Sequence, residues 1–321
     1  MSDEGSYIFK TYTDYHNESI EKYDGKTICL MQVGSFMECY SVATDDLTIG
    51  PNLHELGDIL NIVVTRKDKK KPHSINNPLM LGFPDHSINK FKKVLIDEGY
   101  TIVVIMQVTP PPDPRRDIVE VVSAGTCIND FSRDIDNYLA SIYISSDEIN
   151  DKIIYTVGIT LMNVQTGRNI INHISSPIND NSYWINELNR IMSSFSIVEN
   201  VVHVSDSVDY SDKDLINLFD MINKTNNFHI YKNDLKMFSK VSYQDSTLGK
   251  VFNLTGMLTP IEFFNLERKP EVVLSYILML HHVYLHKADL INNIEHPVEL
   301  DNIDFLTISS DGVRQLNVVN N

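Results

Sequence analysis

Cysteine is scarce in this chain, and the three present, Cys29, Cys39 and Cys127, are odd in number and show neither CxxC nor Cys/His spacing. That excludes a disulfide framework and a cysteine zinc site, and leaves reduced thiols in packed positions. Long apolar runs are also missing: none reaches the roughly 18 residues that span a bilayer. The opening MSDEGSYIFK lacks the basic and then apolar order of a signal peptide. An intracellular protein away from membranes is expected, so the sequons at Asn17, Asn223 and Asn253 carry no weight. Phosphate loops are absent too. Neither GxxxxGKS/T nor GxGxxG occurs, and the nearest look-alike, Ser246-Thr247-Leu248-Gly249-Lys250, lacks the first glycine and the following Ser/Thr. No cofactor, and no ATP, is therefore expected in this chain. There is no GxSxG, and no HExxH accompanies His281, His282 and His286, which fall on a predicted helix and read as ordinary surface or packed histidines. Asp45-Asp46 read as an exposed turn or helix cap.

The 321 residues are 42% hydrophobic and 22% charged, enough for two or three globular domains. The formal charge of -16 argues against a nucleic-acid partner until its distribution is considered. Between Val64 and Asp117 ten Lys/Arg (Arg66, Lys67, Lys69, Lys70, Lys71, Lys90, Lys92, Lys93, Arg115, Arg116) face six acids, a balance of +4, so the rest carries -20. A charge run of this kind is also what a solvated face shows.

Strands and helices alternate in the first region. TICLMQV (27–33) reads as a strand feeding a bend at Gly34-Ser35-Phe36. A helix is predicted over 52–60 with Asn52 as N-cap, then strands at 62–65 and 79–83 around a basic loop, and a helix over 87–99 that Gly99 ends. Strands at 101–108 and 118–122 flank TPPPDPRRD, a stiff exposed joint. From about Asp134, strands at 138–145 and 153–162 and a turn at Gln165-Thr166-Gly167 before a third strand suggest an antiparallel meander. Helix 182–194, strand 197–204 and helix 212–222 follow; strand signals fade beyond about Ser246, and 270–292 reads as one long helix with apolar positions at Val273, Ile277, Leu280 and Tyr284.

In ICLMQVGSFMECY (28–40), a buried strand running into Gly-Ser-Phe projects an aromatic ring from a bend, and Glu38 points to the same side if the chain stays extended. An aromatic wedge beside a hydrogen-bonding side chain suits the unstacking of a weak base step from the minor groove. Phe-x-Glu is a common pair, and a core phenylalanine beside a solvated glutamate gives it equally well. The neighbourhood is more specific. Gly34-Ser35-Phe36-Met37-Glu38 resembles the GDFYE of the MutS family, with departures at Ser35 and Met37. Val64-Thr65-Arg66 is similar to its LTxR, Met80 to His86 to its MAGxPxH, GYTIVVIMQ (99–107) to GYxVAICEQ, and Ser123-Ala124-Gly125-Thr126 to TPGT. Asn137-Tyr138-Leu139 and Asn163 to Gly167 resemble the start of the family's connector, and Leu306-Thr307-Ile308 with Asp311 to Val318 its DxxTxRNLEL entry to the lever.

The resemblance implies an α/β fold: a mixed-sheet mismatch-recognition domain (1–128), a ribonuclease H-like connector (129–245) and the beginning of an α-helical lever (246–321). It implies a non-catalytic chain that binds double-stranded DNA at mismatches or small loops, with Phe36 stacking on the disturbed base and Glu38 hydrogen-bonding to it, its pKa raised among phosphates. Gly34, Ser35, Met37 and Met80 would lie at the DNA, and Arg66, Lys67, Lys69, Lys70, Lys71, Arg115 and Arg116 would hold its backbone. The implied partners are a second MutS-type subunit and a downstream repair factor of the MutL type at the connector. ATP and Mg would belong to domains beyond Asn321. Two alternatives remain: a ribonuclease H-like metal-dependent nuclease, which needs converging acids that YLASIYIS and IIYTVGITLMNV lack, and an interaction scaffold without DNA binding.

Overall fold

The computed structural model describes residues 2–23, 26–44, 47–66, 68–110, 114–127, 137–180, 182–209, 213–223, 228–230 and 235–300. Lys67, Asp45-Asp46 and the lever-like segment 306–318 lie outside them. Contacts group the chain into two units, residues 1–127 with 285–287, and residues 128–284 with 288–321. Among the described residues no helix is long and apolar enough to cross a membrane.

The first unit opens with α1 (Ser2–Tyr23), followed by β1 (Thr27–Val33), β2 (Phe36–Thr44), β3 (Leu47–Ile49), α2 (Leu53–Leu60), β4 (Thr65–Arg66), β5 (Leu79–Pro84), α3 (Ile88–Asp97), β6 (Thr101–Gln107) and β7 (Arg116–Val122). Its sheet runs β4-β5-β2-β1-β6-β7, with β3 beside β2. β1 is parallel to β6 and antiparallel to β2, so the sheet is mixed. One face carries Met37 and Phe83, opposite each other on β2 and β5, with Phe83 against Phe91 of α3. The other face is covered by α1, whose Tyr12 stands edge-on to Tyr40 and donates its hydroxyl to the Cys29 carbonyl.

Local expectations hold in part. Asn52 caps α2 by accepting from the Glu55 amide, and Gly99, at φ +83, follows α3. The strand expected over 62–65 shrinks to Thr65–Arg66. Asn61 closes α2 in the left-handed region and the Ile62 amide bonds back to Gly57, so the run LNIVV (60–64) is used to cap a helix while Val63 faces solvent. Helix α1 has no counterpart in the sequence reading. Its buried positions Phe9, Tyr12, His16, Ser19 and Tyr23 are spaced by three or four residues, with Thr13 buried beside them, but polar groups interrupt the stripe.

The second unit comprises β8 (Asn137–Ile149), β9 (Lys152–Met162), β10 (Asn169–Ser175), α4 (Tyr183–Ser194), β11 (Ser196–Val204), α5 (Lys213–Asn223), β12 (Phe228–Ile230), α6 (Val241–Phe252), α7 (Pro260–Phe263), α8 (Pro270–His286) and β13 (Val298–Glu299). The sheet order is β12-β11-β8-β9-β10-β13. The expected antiparallel meander is β8-β9-β10, turned at Asn150-Asp151, both at positive φ, and at Gly167. Trp184 of α4 fills one side of the sheet. On the other, Leu139, Met162, Ile171 and Val201 pack with Val273, Tyr276, Ile277 and Leu280 of α8, each such buried side chain contributing about 1.5–3 kcal/mol. The helix expected over 270–292 ends at His286 and resumes as a 3-10 turn over Ala288–Asn293, and Tyr284, expected on the apolar stripe, is exposed. Residues 246–300 lie within this unit except 285–287.

Candidate nucleic-acid interface

The hairpin from β1 to β2 turns on two residues, Gly34 and Ser35, with Val33 and Phe36 paired across it. Gly34 takes φ +61, which glycine adopts without strain. The turn is tied on both sides. The Asp85 amide donates to the Ser35 carbonyl at 2.9 Å. The Gln32 side chain accepts from the Gln107 amide at 3.0 Å and donates to Asp85 at 3.5 Å. Arg116 Nε donates to the Gln32 carbonyl at 3.2 Å, and the Tyr15 hydroxyl to the Arg116 carbonyl at 2.6 Å. On this fixed bend stands Phe36, a phenylalanine left 45% exposed at the head of a strand whose later residues are largely buried.

Glu38 lies two residues along β2 on the same face, about 7 Å further on, and is half-buried. Opposite it is Gly82, where a Cβ would stand 3.1 Å from Glu38 Cγ, so glycine there makes room for the carboxylate. The Tyr40 hydroxyl donates to Glu38 Oε2. Burial pushes the Tyr40 phenol above its ordinary value and the Glu38 charge adds to this, so Tyr40 keeps its proton and stays the donor.

The expected contact residues divide into two groups. Gly34, Ser35, Phe36, Glu38 and Arg116 gather at one end of the sheet, with Arg115 exposed beside them and paired to Asp117 at 2.8 Å. Arg66 pairs with Leu79, which pairs with Ser41. That is five residues from Phe36 along β2, or about 17 Å at roughly 3.4 Å per residue. Lys69, Lys70 and Lys71 follow Arg66 at that far end and are exposed, Lys71 3.7 Å from Asp68. Their loop is organised by Asn77, whose side-chain amide donates to the Asp68, Lys71 and Pro72 carbonyls and accepts from the Asp68 amide. Met37 is removed from the contact set: its side chain is fully buried in the core of the first unit. Met80 is half-buried, opposite Tyr40.

Sequence reasoning missed Gln32, Tyr40, Asp85 and Asn77. None belongs to a residue type or spacing that marks a site; Gln32, Asp85 and Asn77 act through a partner remote in sequence or through backbone, and Tyr40 through its neighbour Glu38 on the same strand. Other motif positions are structural. Thr126 Oγ1 accepts from the Ser123 amide in a buried turn, and Asn163 Oδ1 accepts from the Gln165 and Thr166 amides. Among the described residues, one group could hold a metal ion, Glu199 with His229 and His282 in the second unit. Asp147 and Glu148 sit at the exposed end of the β8-β9 hairpin.

The family profile for MutS domain I matches residues 14–130, which include the whole hairpin end. A mutS homologue of Acanthamoeba polyphaga mimivirus is 29% identical over 96% of this chain and 29% of its own length. A mitochondrial DNA mismatch repair protein mutS homologue of Sarcophyton glaucum is 24% identical over 61% of the chain and 20% of its own length. The DNA mismatch repair protein MutS of Fervidobacterium nodosum is 22% identical over 91% of the chain and 30% of its own length. The chain thus spans under a third of each of these relatives. Residues 14–130 thus form a MutS domain I, and the chain is homologous to several MutS-type DNA mismatch repair proteins.

Proposed function

We propose that this chain binds duplex DNA at a mispaired or looped base through the β1-β2 hairpin, with Phe36 as the wedge and Glu38 as the hydrogen-bonding partner of the displaced base. The exposure of Phe36 carries this reading: a large apolar ring 45% open to solvent, on a bend held by Asp85, Gln32 and Arg116, inside the segment that matches MutS domain I. That segment is the family's non-catalytic recognition module.

Inserting the ring costs a few kcal/mol of unstacking, and about 1–3 kcal/mol of base-aromatic stacking offsets it only where pairing is already weak. Discrimination thus comes from the lower deformation cost of a defective step. Arg116 and Arg115 stand at the wedge end to meet phosphates, and Arg66 with the 68–71 loop would meet the backbone farther along the duplex. Residues 129–245 serve as connector, with a MutL-type factor and a second MutS-type subunit as proposed partners.

Phe36→Ala is the test, in equilibrium binding to one duplex with and without a single mismatch. The expected result is a loss of roughly 5- to 150-fold in preference, the equivalent of that stacking energy, with matched-duplex affinity little changed. Undiminished preference would overturn the reading.

A further inference from the structure

We propose that Glu199, His229 and His282 form a buried binding site for a single divalent cation of the zinc class, joining α8 to the sheet of the second unit. The three come from separate elements. His229 on β12 pairs with Val201 of β11, whose side chain packs in the cluster with α8. Glu199 precedes Val201 by two residues, just after a register irregularity between Ile197 and Glu199 that sets its place on the strand. His282 descends from α8 onto the same spot. All three side chains are buried, at 0%, 8% and 5% exposure for Glu199, His229 and His282.

The donor atoms converge on one point. His229 Nε2 lies 2.8 Å and His282 Nε2 3.1 Å from the same oxygen, Glu199 Oε1, and the three candidate ligand atoms lie within 4.8 Å of one another. With metal-ligand bonds of about 2.0–2.2 Å at tetrahedral angles, donor atoms sit roughly 3.3 Å apart, so each ring needs to draw back from the Glu199 oxygen by only about 0.2–0.5 Å. Two imidazoles and one carboxylate suit zinc in preference to calcium or magnesium, which take oxygen ligands. The fourth position would fall to water or hydroxide, which would also limit the net charge left in the core.

The experiment uses the full chain, stripped with a chelator and titrated with Zn2+ in a calorimeter, and with Co2+ followed by visible absorbance. The chain should bind one equivalent of Zn2+, and the Co2+ form should show the intense band of tetrahedral coordination. Glu199→Gln keeps the volume and an acceptor for both rings but is a poor ligand. It should lower affinity by at least about 100-fold and abolish the rise in melting midpoint that zinc gives the parent. His282→Asn should do the same. If that variant loses the far-ultraviolet signature of the parent, Glu199→Gln decides alone. Less than one equivalent bound by the parent, or equal affinity in Glu199→Gln, overturns the site. Either failure leaves the DNA reading of the hairpin untouched.

Discussion

Two glutamates on two sheets show how differently this chain uses one residue type. Glu38 stands half-exposed near the open end of the first sheet, held by a tyrosine hydroxyl and following an exposed phenylalanine. Glu199 is fully buried under α8 between two histidines. A carboxylate that is to meet a changing partner must keep access to solvent, and one that serves the interior must be paired there, because an unpaired buried charge costs several kcal/mol. The first unit has a further contrast. Its buried titratable group on α1, His16, has no charged partner among the described residues, and burial pushes its value down from 6.5 to about 4, so it is carried neutral.

The sharpest way to break the comparison is at the close approach of α8 to β9. A Cβ at Gly158 would stand 2.1 Å from the Glu271 carbonyl oxygen, a backbone atom that cannot step aside by itself. Glu271 is fixed there by Ser145 and His173. Burial raises its carboxyl, and these hydrogen bonds outweigh it to leave the value lowered. Gly158→Ala is expected to destabilise the second unit by about 3 kcal/mol, read by urea unfolding through Trp184, the only tryptophan and part of that core. An unchanged midpoint would mean that α8 does not press on the sheet as described.

The next effect concerns His16. Between pH 6.5 and about 4 the unfolded chain takes up a proton that the folded chain refuses. Stability is therefore fully present above pH 6.5 and falls as pH drops through that window, by up to about 1.4 kcal/mol per pH unit. Hydrogen exchange of the β1 amides should report this loss, and His16→Leu should flatten it. Equal slopes in the two proteins would show that His16 titrates freely.

Smaller still is the difference between the two ends of the first sheet. Arg116→Ala and Lys70→Ala should each lower the slope of log affinity against log salt by about 1 if both meet phosphates. Because Arg116 also braces the turn through the Gln32 carbonyl, only its loss should reduce mismatch preference as well. If Lys70→Ala alone affects preference, the wedge end has been placed on the wrong side of the sheet.

What the sequence discloses follows from range. Asn52 as a cap, Gly34 at the turn and the meander β8-β9-β10 are local, and each is found as read. Met37 could not be told from its neighbours, because in a sheet covered on both faces the buried pattern is continuous and periodicity no longer says which side faces a ligand. The ties of Gln32 to Gln107 and Arg116 and the meeting of Glu199 with His282 depend on strand register or on a helix folded back from 83 residues away. No spacing rule reaches that far, and His282 reads as ordinary until α8 is laid on the sheet.

The central claim is that Phe36 enters the stack, and a 2-aminopurine placed beside a single mismatch tests it most directly. Bound by the full chain, the probe should brighten as its neighbour is unstacked, and with Phe36→Ala at saturating concentration it should stay dark although the duplex is bound. Equal brightening with both proteins would contradict the account, for the base would then be opened by something other than this ring.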